Sequence, residues 1–107
     1  MERLRQRADF LATATGIKVP AAGFVLQAKR RVEQGPGRIG FTVSSKVGNA
    51  VERNRVRRRL REIVRLTGDD AFRQGHDYVV VGRRAALALP FQRIRQDFDG
   101  ALRRAHR

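Results

Sequence analysis

Histidine, serine and carboxylate side chains most often carry hydrolytic or metal chemistry, and their spacing in this chain supports little of it. His76 and His106 lie far apart in the chain, with no second ligand at helical or loop spacing, so a protein-bound metal is not expected. Ser44 and Ser45 have no nearby base and no Gly-x-Ser-x-Gly setting. Asp69 and Asp70 are adjacent, as in caps and turns, while Asp97 and Asp99 lie among arginines. The Val47-Gly48-Asn49 segment carries one glycine, too few for a phosphate-cradling loop. The groups with chemistry on offer are guanidiniums: between Arg53 and Arg61, six of nine positions are arginine. A planar guanidinium grips phosphate with two parallel hydrogen bonds and stacks on bases, so the chemistry indicated is polyanion binding by a chain that is not itself a catalyst.

The element that must position these arginines is a helix. Val56, Leu60 and Ile63 fall on one stripe at 100° per residue, with Val64 at its edge. Asn54, Arg58, Arg61 and Arg65 gather on the opposite side, and Arg55, Arg57 and Arg59 lie on the flanks. Asn49 can cap the first turn, with Glu52 three residues on reaching back, and Gly68 marks the end after about sixteen residues. Charged helix faces are commonly plain solvated surface. Here the sign argues otherwise, since the face has almost no acids and only Glu62 stands beside Arg58 for i to i+4 pairing.

The whole composition agrees. The 107 residues carry 24 basic and 10 acidic side chains, a formal charge of +14, and all but Lys18, Lys29 and Lys46 of the basic residues are arginine. A hydrophobic fraction of 41% allows one modest core, so residues 1–107 are expected to form a single domain, and its charge makes a polyanion the expected partner. Cysteine is absent, which removes disulfides, thiolate metal sites and cysteine nucleophiles. The charged start, Met1 to Arg7, has no apolar run behind it and no stretch reaches membrane-spanning length, so a cytoplasmic protein without membrane contact is expected.

In chain order, Asp9 to Gly16 reads as a short helix with Asp9 as its cap. Gly23 to Arg30 and Arg38 to Ser44 alternate as strands, joined through a turn at Gln34-Gly35-Pro36-Gly37, and are expected to pair as an antiparallel hairpin. Gly40, Thr42 and Ser44 give the second strand a small, polar face that something can approach closely. Asp69 to Gly75 is a loop or single turn. His76 to Arg83 is apolar on both faces, as suits a central strand in parallel pairing. Phe91, Ile94, Phe98, Ala101, Leu102 and Ala105 mark a last amphipathic helix from Pro90 to about Arg104. The order helix-strand-strand-helix-strand-helix implies a small α/β (α+β) two-layer sandwich.

A basic helix can bind DNA or RNA. DNA readers add a second helix at a turn, a dimer seam or zinc ligands, none of which is visible. An open sheet face beside a basic helix suits RNA better. Arg38 to Glu62, with Lys46-Val47-Gly48-Asn49-Ala50-Val51-Glu52-Arg53-Asn54-Arg55 at its centre, closely resembles the signature of the bacterial ribonuclease P protein component. The Asp9–Gly16 helix, the Phe24-Val25-Leu26 strand and Asp77 to Arg83 look like that family's elements too.

The resemblance implies a protein subunit of a ribonucleoprotein that removes 5′ leaders from precursor tRNA, with ribonuclease P RNA performing hydrolysis through bound magnesium; the residue spacing gives the protein itself no expected cofactor. It implies RNA contact by Lys46, Asn49, Arg53, Asn54, Arg55, Arg57, Arg58, Arg59, Arg61 and Arg65, and a leader-binding cleft involving Phe10, Val25, Gln27 and Thr42. It also implies a small mixed sheet with an unusual left-handed strand-helix-strand crossover, against the general rule. The chain departs from the family pattern at Ala14 and Gln27, where aromatics are frequent, and at Ser45, where a second lysine is common. The alternative is a structural ribosomal or ribosome-assembly protein.

Overall fold

The computed structural model describes residues 1–107. In chain order the elements are β1 (Glu2–Arg3), α1 (Arg7–Thr13), β2 (Ile17–Pro20), β3 (Phe24–Arg30), β4 (Arg38–Thr42), α2 (Ala50–Thr67), β5 (His76–Gly82) and α3 (Phe91–Ala105), with short 3-10 turns at Ser45–Val47, Asp69–Ala71 and Arg84–Leu87. The strands form one mixed sheet in the order β1-β4-β5-β3-β2. This is a small α+β fold. It contains two strands, β1 and β2, that are too short for alternation to reveal. No helix is long and apolar enough to cross a membrane.

The expected hairpin does not form. β3 and β4 each pair with β5 instead, antiparallel at Val25↔Val81 and parallel at Thr42↔Val81. The reason is burial. β5 is the strand with apolar side chains on both faces, Tyr78 and Val80 on one and Val79 on the other, all buried, so it takes the centre and separates the strands on either side. Alternation within a strand reports which side is buried but not which strand lies next to it.

One sheet face is covered by α2 and α3. Val56, Leu60, Ile63 and Val64 of α2 are buried there, as are Ile94, Phe98, Ala101, Leu102 and Ala105 of α3. The Phe98 ring lies 5.7 Å from Phe24 and 6.1 Å from Phe72, and Phe72 meets Tyr78 edge-on at 5.2 Å. α1 crosses the opposite face. It begins at Arg7, so Asp9 lies in its first turn rather than at the cap, where it interacts with the helix dipole and with Arg38 at 3.4 Å.

Asp77, on the α1 side of β5, is buried and accepts from Nε and Nη2 of Arg38 (2.8 and 2.7 Å) and from Arg31 (3.0 Å). Arg31 also bonds the carbonyls of His76 and Pro36. These two arginines tie the β3–β4 connection to the start of β5.

At the other side of that end, Tyr78 Oη accepts from the Arg73 backbone N–H (3.0 Å) and lies 2.6 Å from His106 Nε2, just beyond α3. Burial keeps the tyrosine in its neutral form, so its hydroxyl proton goes to an unprotonated Nε2. His106 is held below its ordinary value by burial, then by the positive charge of Arg73 and His76. The unfolded chain therefore takes up this proton more readily, so the contribution is complete above the ordinary histidine value of about 6.5 and is lost as pH falls through it towards the folded value. Thermal melts should show the protein losing stability on acidification from about pH 7.5 to about pH 5.5, and His106→Gln should flatten that slope. An equal slope in both proteins would show that the pair does not titrate with folding.

Candidate nucleic-acid interface

The arginine helix begins with a complete capping box. Asn49 Oδ1 accepts from the Glu52 N–H (2.9 Å) and Glu52 Oε1 accepts from the Asn49 N–H (3.0 Å). The second of these bonds lowers the Glu52 pKa, and Arg84 lowers it further, which favours the charged carboxylate that the cap uses. Gly48 makes the geometry possible: any Cβ there would collide with the Glu52 carboxylate. The turn before the helix is held by two arginines, Arg53 on the Gly48 carbonyl (2.7 Å) and Arg84 on the Val47 carbonyl. The helix runs for 18 residues to Thr67, with Gly68 beyond it at φ 84°.

The arginines of α2 are not equivalent. Arg59 donates to the carbonyls of Ala86 and Leu89 (the latter at 2.7 Å), clamping the helix to the turn after β5. Arg57 donates to Asn54 Oδ1 (2.9 Å), and Arg61 lies over the Phe41 ring, 5.8 Å from its centroid. Glu62 pairs with Arg65, one turn towards the C-terminus, and not with Arg58, because both of its oxygens reach the same guanidinium. Lys46, Arg55 and Arg58 are exposed and make no hydrogen bond or ion pair. Asn49 lends its oxygen to the cap, which leaves its amide N–H groups outward.

The cleft residues are organised by register. On the face opposite α2, Thr42, Val81 and Val25 form one cross-strand row, and Gly40, Val79 and Gln27 form the next, extended by Lys18 of β2. The Phe10 ring stands on Gly40, where an added Cβ would meet it at 2.5 Å. This brings Phe10 to the same surface as Val25, Gln27 and Thr42, all four half-buried. Val81 and Lys18 join them and went unnoticed in the sequence: Val81 reads as core and Lys18 as isolated, and only the strand pairing shows that they share this face. A third row, Arg38, Asp77 and Lys29, lies where α1 and the ion pairs close the surface.

The histidines come together, with ring centroids 6.3 Å apart, but no group of three or more His, Cys, Asp or Glu side chains is placed to hold a metal ion.

The model of the family described as Ribonuclease P matches residues 1–106. A ribonuclease P protein component from Gluconacetobacter diazotrophicus is 49% identical over 104 residues, covering 96% of this chain and 90% of the relative. One from Bartonella quintana is 50% identical over 96 residues, covering 83% and 71%. Among solved structures, the RNase P protein from Thermotoga maritima superposes with a TM-score of 0.79 at 30% identity, covering 97% of both chains. A mutant RNase P protein from Staphylococcus aureus gives 0.83 at 30% identity, covering 97% of this chain and 87% of that one.

Two measurements test this division of labour. Arg59→Gln removes a charged donor from two carbonyls and should cost about 1–3 kcal/mol in denaturant unfolding, whereas Arg58→Gln should stay within about 0.5 kcal/mol. Equal losses would mean that Arg59 is not a clamp. Gly40→Val should displace the Phe10 ring, read as increased accessibility of a fluorophore placed on α1.

Proposed function

The chain belongs to the ribonuclease P protein family, and from that premise we propose how its two surfaces serve the reaction. As a ribonuclease P protein component it takes part in tRNA processing and associates with ribonuclease P RNA. Its basic helix lies against that RNA, and the sheet face beside α1 receives the single-stranded 5′ leader of precursor tRNA. The RNA subunit carries out hydrolysis with its own magnesium, and the complex works in the cytoplasm. A structural ribosomal role is not favoured by the relatives.

The observation that carries this reading is the unpaired cationic edge of a firmly capped helix. Lys46, Arg55 and Arg58 have no internal partner, so phosphates are their natural counter-ions. Arg53, Arg57, Arg59, Arg61 and Arg65 have partners within the chain. They shape this edge and supply its field, and their remaining N–H groups can still reach RNA. Desolvated guanidinium groups between two polyanions lower the repulsion that opposes docking of substrate on catalytic RNA.

The cleft adds contacts that mature tRNA cannot make. Phe10 offers one ring for stacking, Val25, Val81 and Thr42 a shallow apolar floor, and Gln27 and Lys18 an amide and an ammonium where a second ring is absent. Interactions restricted to the leader favour substrate over product, so release of mature tRNA is not slowed.

Cleavage of a leader-bearing precursor by a bacterial ribonuclease P RNA at low magnesium should be strongly stimulated by the protein, which should be inert alone. Absence of stimulation despite tight RNA binding would overturn this reading. Arg58→Ala should weaken assembly and lower the log–log salt slope by about 0.7–0.9, the value of one phosphate contact. An unchanged slope would remove Arg58 from the interface.

A further inference from the structure

β1 is shorter than the strand it accompanies. Its last backbone bond to the sheet runs from the Leu4 N–H to the Ile39 carbonyl (2.8 Å), while β4 continues to Thr42. Since β1 is the end of the sheet, β4 beyond Ile39 has no strand on this side. A recess of about 300 Å³ opens at that edge, lined by Gly40, Phe10 and Phe41 together with Arg3, Arg5 and Arg61.

Three features make this recess chemically specific. It gathers three guanidinium groups with no carboxylate among its lining residues. Arg3 and Arg5 have no partner, and Arg61 stacks over Phe41 rather than pairing with an acid. Phe41 is only half-buried, packed against the core with the Arg61 guanidinium over its ring. The Phe41–Arg61 stack is a platform for a flat π-system, and the two free cations are placed for phosphate. The unpaired edge of β4 supplies backbone donors and acceptors for the rim of a base. Burial and the neighbouring Arg3 and Arg57 depress the Arg61 pKa, a mutual repulsion that a bound anion relieves.

We infer that this recess at the open edge of β4 takes one unstacked nucleotide of single-stranded RNA, its base against the Phe41–Arg61 stack and its flanking phosphates on Arg3 and Arg5. The inference rests on the function proposed above and adds a third contact to it, between the basic helix and the leader cleft. The nucleotide can come from the leader of the precursor or from ribonuclease P RNA. The same pocket chemistry serves either source.

The test uses the reconstituted holoenzyme with Phe41→Leu, Phe41→Trp and the double variant Arg3→Gln/Arg5→Gln, each checked for folding by thermal melting. Two affinities are measured: protein for ribonuclease P RNA, and holoenzyme for precursor relative to mature tRNA. Loss of the stacking surface in Phe41→Leu should weaken one of them about 10-fold, and Phe41→Trp should keep it. The double variant should lower the salt slope of the same affinity by about 1.4, the value of two single-strand phosphates. A fall in precursor affinity alone assigns the nucleotide to the leader, and a fall in assembly alone assigns it to the catalytic RNA. If folded Phe41→Leu keeps both affinities within about twofold, the recess holds no base and the inference is overturned, even where the arginine variant weakens binding. A wild-type protein that neither assembles nor distinguishes precursor from mature tRNA would instead overturn the proposed function, and the recess with it.

Discussion

A single buried carboxylate holds the functional faces in register. Asp77 sits on the central strand beneath α1, between Arg38 of β4 and Arg31 of the preceding connection, and Arg38 continues to Asp9 on α1. Ion pairs of this kind add little when complete, because desolvation offsets much of the attraction, yet losing one member strands the others at a cost of about 3–5 kcal/mol. The network therefore acts chiefly as a positional constraint. It fixes where α1 crosses the sheet, and the line of that crossing decides which rows of the sheet stay open and where the Phe10 ring stands.

Elsewhere the chain has too few acids to neutralise its arginines, with 10 against 24 basic residues. It turns to backbone carbonyls. Arg53, Arg59, Arg73, Arg83 and Arg84 all donate to main-chain oxygens at turns and helix ends. These contacts brace the fold without cancelling its charge, so the surface field that attracts RNA survives. The arginines thus divide into those that hold loops and those that remain available, and both kinds sit on one helix.

Much of this was legible in the chain. The periodicity of Val56, Leu60 and Ile63, the Asn49–Glu52 box and the terminal Gly68 define α2 locally, and local patterns are what sequence displays. The central place of β5 followed from its two apolar faces. What stayed hidden depends on pairing between distant segments. The expected β3–β4 hairpin gave way to an intervening strand, β1 and β2 are too short to show alternation, and Glu62 chose Arg65 over Arg58 by side-chain geometry. The cleft was known only through family resemblance. Its rows, including Val81 and Lys18, emerge once the register is set, as does the role of Arg59, which looks like any other flank arginine until Ala86 and Leu89 come beside it.

The placement of β5 also bears on how the chain reaches this state. β2 and β3 can close as a hairpin early, and β1 can join β4, but these half-sheets share no bond until the strand between them arrives. During synthesis the chain must expose two unpaired strand edges until His76–Gly82 has emerged, with α2 already formed nearby. Non-local pairing of this sort is slow and leaves edges open to wrong partners. The keystone strand thus makes the last third of the chain decisive: a truncation before it leaves a charged helix and two fragments of sheet, whereas its insertion joins the two halves of the sheet and lets α3 close the core behind it.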